Sequence, residues 1–273
     1  MYCTEIIYKI FFVDEHYFKE YIENFKPIRK DEERRKLYKH IVDRSTTQMI
    51  NFLKNMKLYY MYDDSFSDMR DMFIDNIKDS YTAIEIKIES PKFNINTPDD
   101  LKFGGGIDIW TSRVKNILSI IEQHQDNEPF IFSDIDIVFY KPTLPTINNL
   151  IESKDVLFLR ELFDGHTSEG GNINFGFNVI RANEKSYRFF KDVLNKLLET
   201  GVWEQRIINN LLYNTNDYDL KWNLLPPTFL STSVGLHNID KNIMLYHANC
   251  ALKKEDKYNL INIVNKIVSG TCA

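Results

Sequence analysis

Apolar positions along the first ninety residues change period in a regular alternation. Ile6 to Val13 (IIYKIFFV) is a nearly unbroken apolar run bounded by acidic residues, which predicts a strand over 5–13. The charged stretch EERRKLYKHIV has helical spacing and continues through TTQMINFLKNM. KLYYMYDD then predicts a second strand ending at an acidic turn, and DMRDMFIDNIK (68–78) a helix. AIEIKIE alternates with period two, as a third strand does. This βαβαβ succession predicts a parallel, doubly wound sheet whose ligands bind beyond the carboxyl ends of its strands.

The looser stretch SPKFNINTPDDLKFGGG ends at Gly104, Gly105 and Gly106, a run that reads as a turn or as a mobile loop. A helix is predicted over 108–124, then the apolar segment EPFIFSDIDIVFYKP. Strands DVLFLR and NFGFNVI flank the polar loop DGHTSEGGN, and helices follow over 185–199 and 203–213. NIMLYHANC reads as a last strand running into a polar turn. There is no internal repeat or Pro/Ser-rich linker, so one α/β domain is expected over 1–273, its nucleotide-binding part about 1–140 and its acceptor part about 141–273.

Composition narrows the function. With 43% hydrophobic residues among 273, the chain has ample material for a core, and a net charge of -5 speaks against a protein that coats nucleic acid. Cys3, Cys250 and Cys272 have no metal-ligand spacing and form no disulfide framework, which fits a reducing, cytoplasmic setting. No basic segment precedes the first apolar run, and no apolar stretch is long enough for a membrane span.

The strongest chemical signal is Phe130-Ile131-Phe132-Ser133-Asp134-Ile135-Asp136. A buried strand delivers two carboxylates at its C-terminal end, where an α/β sheet presents ligands. On a regular strand Asp134 and Asp136 point to the same side and can share Mg²⁺ or Mn²⁺. His247 follows the apolar run Ile243 to Tyr246, and its nitrogen would complete such a site and favour Mn²⁺. Lys253 and Lys254 follow, placed to neutralise a diphosphate.

These features, in this order, resemble the GT-A glycosyltransferases, close to the nucleotide-diphospho-sugar transferases and more distantly to the glycogenin-like retaining enzymes. The resemblance rests on Lys115 in the helix before the acidic pair, Asp134-Ile135-Asp136 with Lys141-Pro142 beyond it, and Asn174-Phe175-Gly176-Phe177-Asn178-Val179-Ile180-Arg181. Glu204-Gln205 with Asn209 and Leu211-Leu212, and His247 with Lys253, complete it. Glu204 departs from the family's usual Asp, and the glycogenin-like Gly after the histidine is missing.

The resemblance implies a GT-A, Rossmann-like α/β domain with a central, mostly parallel mixed sheet flanked by helices. It implies metal-dependent transfer from a nucleotide-diphosphate sugar, UDP-sugars favoured, to a glycan, glycoprotein or other hydroxyl acceptor. It assigns the metal to Asp134, Asp136 and His247, and the donor to Val13, Arg113, Lys115, Asp134, Asn174, Gly176, Lys253 and Lys254. Gln205 and Glu204 would be catalytic, with Gln205 stabilising an oxocarbenium-like centre under retention. Inversion would need a general base, for which Glu161, Asp164 and Glu169 are candidates. Two rivals remain at this level: a haloacid-dehalogenase-type phosphatase, because DIDIV also fits DxDx[TV], and an inactive GT-A-like scaffold.

Overall fold

A computed structural model of the chain describes residues 56–78, 80–88, 107–124, 127–161, 173–232, 236, 239–249 and 253–271. The predicted strand over 5–13, with Val13, the first helix and Gly104 to Gly106 lie outside them. Two compact units divide the chain at Asn55/Met56, and the account below concerns the second.

Nine strands of the described residues form one sheet: β1 (Lys57–Tyr62), β2 (Thr82–Lys87), β3 (Pro129–Ser133), β4 (Ile137–Phe139), β5 (Val156–Glu161), β6 (Ile173–Arg181), β7 (Trp222–Leu224), β8 (Phe229–Ser231) and β9 (Leu245–His247). Their order is β2-β1-β3-β6-β5-β8-β9-β4, with β7 beside β5. The predicted parallel start is present, since β1 pairs parallel with both β2 and β3. The sheet as a whole is mixed rather than doubly wound and parallel. β6 runs antiparallel to both β3 and β5, and β4 antiparallel to β9. The remaining pairings of β5 with β7 and β8, and of β8 with β9, are parallel. This is the mostly parallel mixed sheet of the GT-A expectation.

The helices cover the sheet through their apolar stripes. In α1 (Ser67–Ile77), Met69, Phe73 and Ile77 recur every four residues and are fully buried. In α2 (Ile107–Gln123), Trp110, Val114, Ile117, Leu118 and Ile121 face the core that β3, β5 and β6 also fill. α4 (Glu184–Thr200) joins that core through Phe189, Phe190, Val193 and Leu197. Its ends are set by sequence: the Asn183 side chain accepts from Ser186 N–H at 2.9 Å, and Gly201 closes it at φ 64°.

Several elements were not foreseen. α3 (Leu144–Ile151) opens with Pro145 in its first turn, and α6 (Lys254–Ser269) buries only Ile261 and Val264. The helix predicted over 203–213 is α5 (Glu204–Asn210), followed by a π-helical turn, Leu211–Thr215. The strand predicted to carry both Asp134 and Asp136 ends at Ser133. Asp134, Ile135 and Asp136 form the short link from β3 to β4.

Candidate metal and donor site

The geometry of the link begins in β6. Opposite β5 the register jumps from Phe158↔Asn178 to Leu159↔Asn174, so Phe175, Gly176 and Phe177 bulge out of the ladder on that side. A bulge frees backbone polar groups, and buried ones need partners. Three side chains supply them. Asn174 Oδ1 accepts from Gly176 N–H at 2.9 Å, Gln205 Oε1 from Phe175 N–H at 3.0 Å, and Asn178 Nδ2 donates to Phe175 O at 2.9 Å. Gly176 O in turn accepts from Asp134 N–H at 2.7 Å, and Asp136 O from Ala248 N–H at 3.0 Å. The link between the carboxylates is thereby pinned at both ends, to β6 and to the exit of β9.

His247 lies on the bulge. A Cβ at Gly176 would stand 2.2 Å from His247 Cε1 and 2.6 Å from Nδ1, so only glycine admits the imidazole here. His247 Nδ1 lies 3.0 Å from Asn174 Oδ1 and 3.2 Å from Ser231 Oγ. Asn174 Oδ1 already accepts the Gly176 N–H, and Ser231 Oγ accepts from Asn249 Nδ2 at 3.0 Å. The Asn174 amide oxygen can only accept, so Nδ1 carries the proton, while the Ser231 hydroxyl can act either way. Nε2 faces Asp136 Oδ1 at 3.2 Å and Asp134 Oδ2 at 3.7 Å, donating to them when the ring is charged and presenting a lone pair when it is neutral.

The outer oxygens of both carboxylates are taken by cations. Arg113 Nη2 donates to Asp134 Oδ1 at 2.6 Å, and Lys257 Nζ to Asp136 Oδ2. Burial and the neighbouring Asp136 carboxylate raise the pKa of Asp134, against the pull of Arg113. For Asp136, burial is outweighed by Lys257 and His247, which hold its carboxyl well below the usual carboxylate range. The inner oxygens and Nε2 are free to share a ligand. Asp134, Asp136 and His247 each present one donor atom, all within 4.8 Å of one another. Ligands about 2.1 Å from a metal and at right angles lie about 3 Å apart, so the donor set fits a small divalent cation.

Beside the carboxylates, Arg113 Nη1 also donates to Glu204 Oε1 at 3.0 Å, and its guanidinium lies 5.8 Å from the Phe175 ring centre. Glu204 is fully buried, and desolvation lifts its pKa to about 7 despite Arg113. Arg113 Nε and Glu204 Oε2 are both buried with no hydrogen-bond partner among the described residues. Gln205 Nε2 donates to Glu161 Oε2 at 2.5 Å, and Asn249 Nδ2 to Glu161 Oε1 at 2.9 Å. Glu161 is thus the buried end of β5, not part of the loop that the sequence predicted; Asp164 and Glu169 lie outside the described residues.

The predicted lysines are dispersed. Lys115 is exposed on α2, and Lys253 is exposed at the start of α6. Lys254 turns away to Asp68, at 3.0 Å from both carboxylate oxygens, and to Ser65 O at 3.3 Å. The lysine on the carboxylates is Lys257, one turn into α6, which the sequence reading passed over because α6 itself was not foreseen. Asn249 and Ser231 were missed too; both are small polar residues beside strand ends, with no motif to mark them.

Comparison with known proteins follows this geometry. The family model of the nucleotide-diphospho-sugar transferases matches residues 90–261, well over half of the chain. Among solved structures, the chain resembles a glycosyltransferase involved in glycosylation of the major capsid of PBCV-1, with TM-score 0.53, 11% identity, and coverage of 76% of this chain and 98% of that one. It also resembles the bifunctional glycosyltransferase WbbM in its apo form, with TM-score 0.50, 12% identity, and coverage of 77% and 50% respectively. No curated protein matches in sequence. The family match and a shared GT-A fold discard the phosphatase reading: this chain belongs to the nucleotide-diphospho-sugar transferase family and is a glycosyltransferase.

Proposed function

We propose that the protein transfers a sugar from a nucleotide-diphosphate donor, UDP-sugars favoured, to a hydroxyl acceptor, with a divalent cation at Asp134, Asp136 and His247. The observation that carries this reading is the convergence of His247 Nε2 and one oxygen each of Asp134 and Asp136 within 4.8 Å of one another. An Nε2 lone pair aimed at two carboxylate oxygens is unfavourable unless a cation or a proton lies among them. The Nδ1–H held by Asn174 is the outer-shell bond that metal-bound histidines use. A nitrogen donor beside two hard oxygens favours Mn²⁺ over Mg²⁺. When bound, the ion supplies Lewis-acid stabilisation of the departing diphosphate.

The chain's own residues hold and align the sugar. Arg113 Nε–H and Glu204 Oε2, both unmatched among the described residues, offer a donor and an acceptor to the hydroxyls of a donor sugar. Gln205 is fixed by two hydrogen bonds, leaving the second lone pair of Oε1 to face an oxocarbenium-like centre. Both Glu161 oxygens are engaged by amide N–H groups, which supports retention over inversion with Glu161 as base.

Thermal unfolding with Mn²⁺ and a panel of UDP- and GDP-sugars tests this. A Tm rise of several degrees is expected for one nucleotide class and only with metal present. No shift with any combination would overturn the reading. Slow donor hydrolysis without acceptor separates a working enzyme from a binding scaffold, and the anomer released reports retention or inversion.

A further inference from the structure

Before any metal or nucleotide arrives, each member of the carboxylate pair already holds a cation. Asp134 and Asp136 carry two negative charges, and Arg113 and Lys257 return two positive ones by direct contact. All four side chains are at least three-quarters buried, so solvent screens them little. Lys257 also donates to Ala248 O at 3.3 Å, next to the metal-facing His247, so the ammonium is held from two sides. A divalent cation entering this cluster meets two fixed positive charges: the Lys257 ammonium, in contact with Asp136, and the Arg113 guanidinium, which Asp134 shares with the third buried carboxyl, Glu204. Its coordination to Asp136 is confined to one oxygen, because Lys257 occupies the other.

From this we infer that Lys257 is a positioning residue that makes metal binding depend on nucleotide. Its ammonium weakens the bare protein's hold on the cation and keeps Asp136 monodentate. The diphosphate of an incoming donor adds negative charge that offsets this ammonium, so metal and nucleotide bind with mutual reinforcement. The inference rests on the metal reading above and adds a residue that the sequence motifs did not mark.

Mn²⁺ titrations followed by electron paramagnetic resonance, with and without UDP or GDP, test it in the full chain. The wild type should bind Mn²⁺ weakly alone and at least about tenfold more tightly with its nucleotide. Lys257→Met should bind Mn²⁺ alone about tenfold more tightly than wild type and lose most of the nucleotide enhancement. Lys257→Arg keeps the charge and should behave as wild type, which separates charge from packing. Equal or weaker Mn²⁺ binding by a folded Lys257→Met, judged by unchanged circular dichroism, overturns the inference while leaving the metal site standing. Failure of wild type and variant alike to bind Mn²⁺ overturns both.

Discussion

A methyl group added at Gly176 would collide with the His247 ring at 2.2 Å, with the bulged backbone of β6 on its other side. Either the imidazole moves off the carboxylates or β6 shifts against β3. Gly176→Ala should therefore cost about 1–3 kcal/mol in urea denaturation and weaken Mn²⁺ binding by more than about tenfold. Normal Mn²⁺ affinity in that variant would show that the ring is held by something else. Glu204 gives a second test at this scale. Its carboxyl titrates near 7 in the folded chain and near the ordinary carboxylate value when unfolded. The folded state thus binds the extra proton, so this stability is present below about pH 4.5 and is lost as pH rises through 7. Glu204→Gln should remove a loss of order 1–3 kcal/mol over that window, read from denaturation curves at several pH values. An unchanged slope would place the titration elsewhere. The sequence named both residues. It did not show that Gly176 makes room for a histidine, because that contact joins distant strands.

At the scale of elements, the docking of α5 on β6 fixes the catalytic candidates. Asn209 Oδ1 accepts from Ile173 N–H and its Nδ2 donates to Ile173 O, both at 3.0 Å, so one side chain acts as an extra strand residue. Nδ2 also donates to Gln205 O at 2.8 Å, tying the helix turn that carries Gln205 to the same strand. Asn209→Asp replaces the donor by a second acceptor facing Ile173 O. A buried acceptor left against another costs about 2–4 kcal/mol, measurable by chemical denaturation, with the Gln205–Glu161 alignment lost as well. A change under about 0.5 kcal/mol would mean that α5 is held by its apolar face alone. The long periodic elements, α2, α4, β1 and β6, were legible because period and burial coincide in them. Of the three-residue strands, β9 was legible as the apolar run before His247, whereas β4, β7 and β8 are too short to show a period. α6 escaped although Leu260, Ile261, Val264 and Val268 recur at helical spacing, because its first turn, Lys254 to Lys257, is wholly charged and only two residues are buried. With α6 unseen, Lys257 had no address, and Lys253 and Lys254 stood in for it.

Across the whole described unit, strand order was the part that no local pattern could supply. The βαβ start sets β1, β2 and β3 side by side, but the placement of β8, β9 and β4 depends on partners far away in the chain. Following hydrogen bonds from β3 leads through β6, β5, β8 and β9 to β4, and the covalent link Asp134–Ile135–Asp136 leads straight back to β3. The carboxylates therefore sit on the seam that closes a ring of six strands, with His247 contributed from the neighbouring β9. The triangle of ligand atoms has no existence in a chain whose ring is open, since its corners come from separate stretches that only the completed circuit brings together. A cation that recognises all three corners is then a reporter of folding: it binds the closed ring alone, and its affinity includes whatever free energy keeps that ring shut.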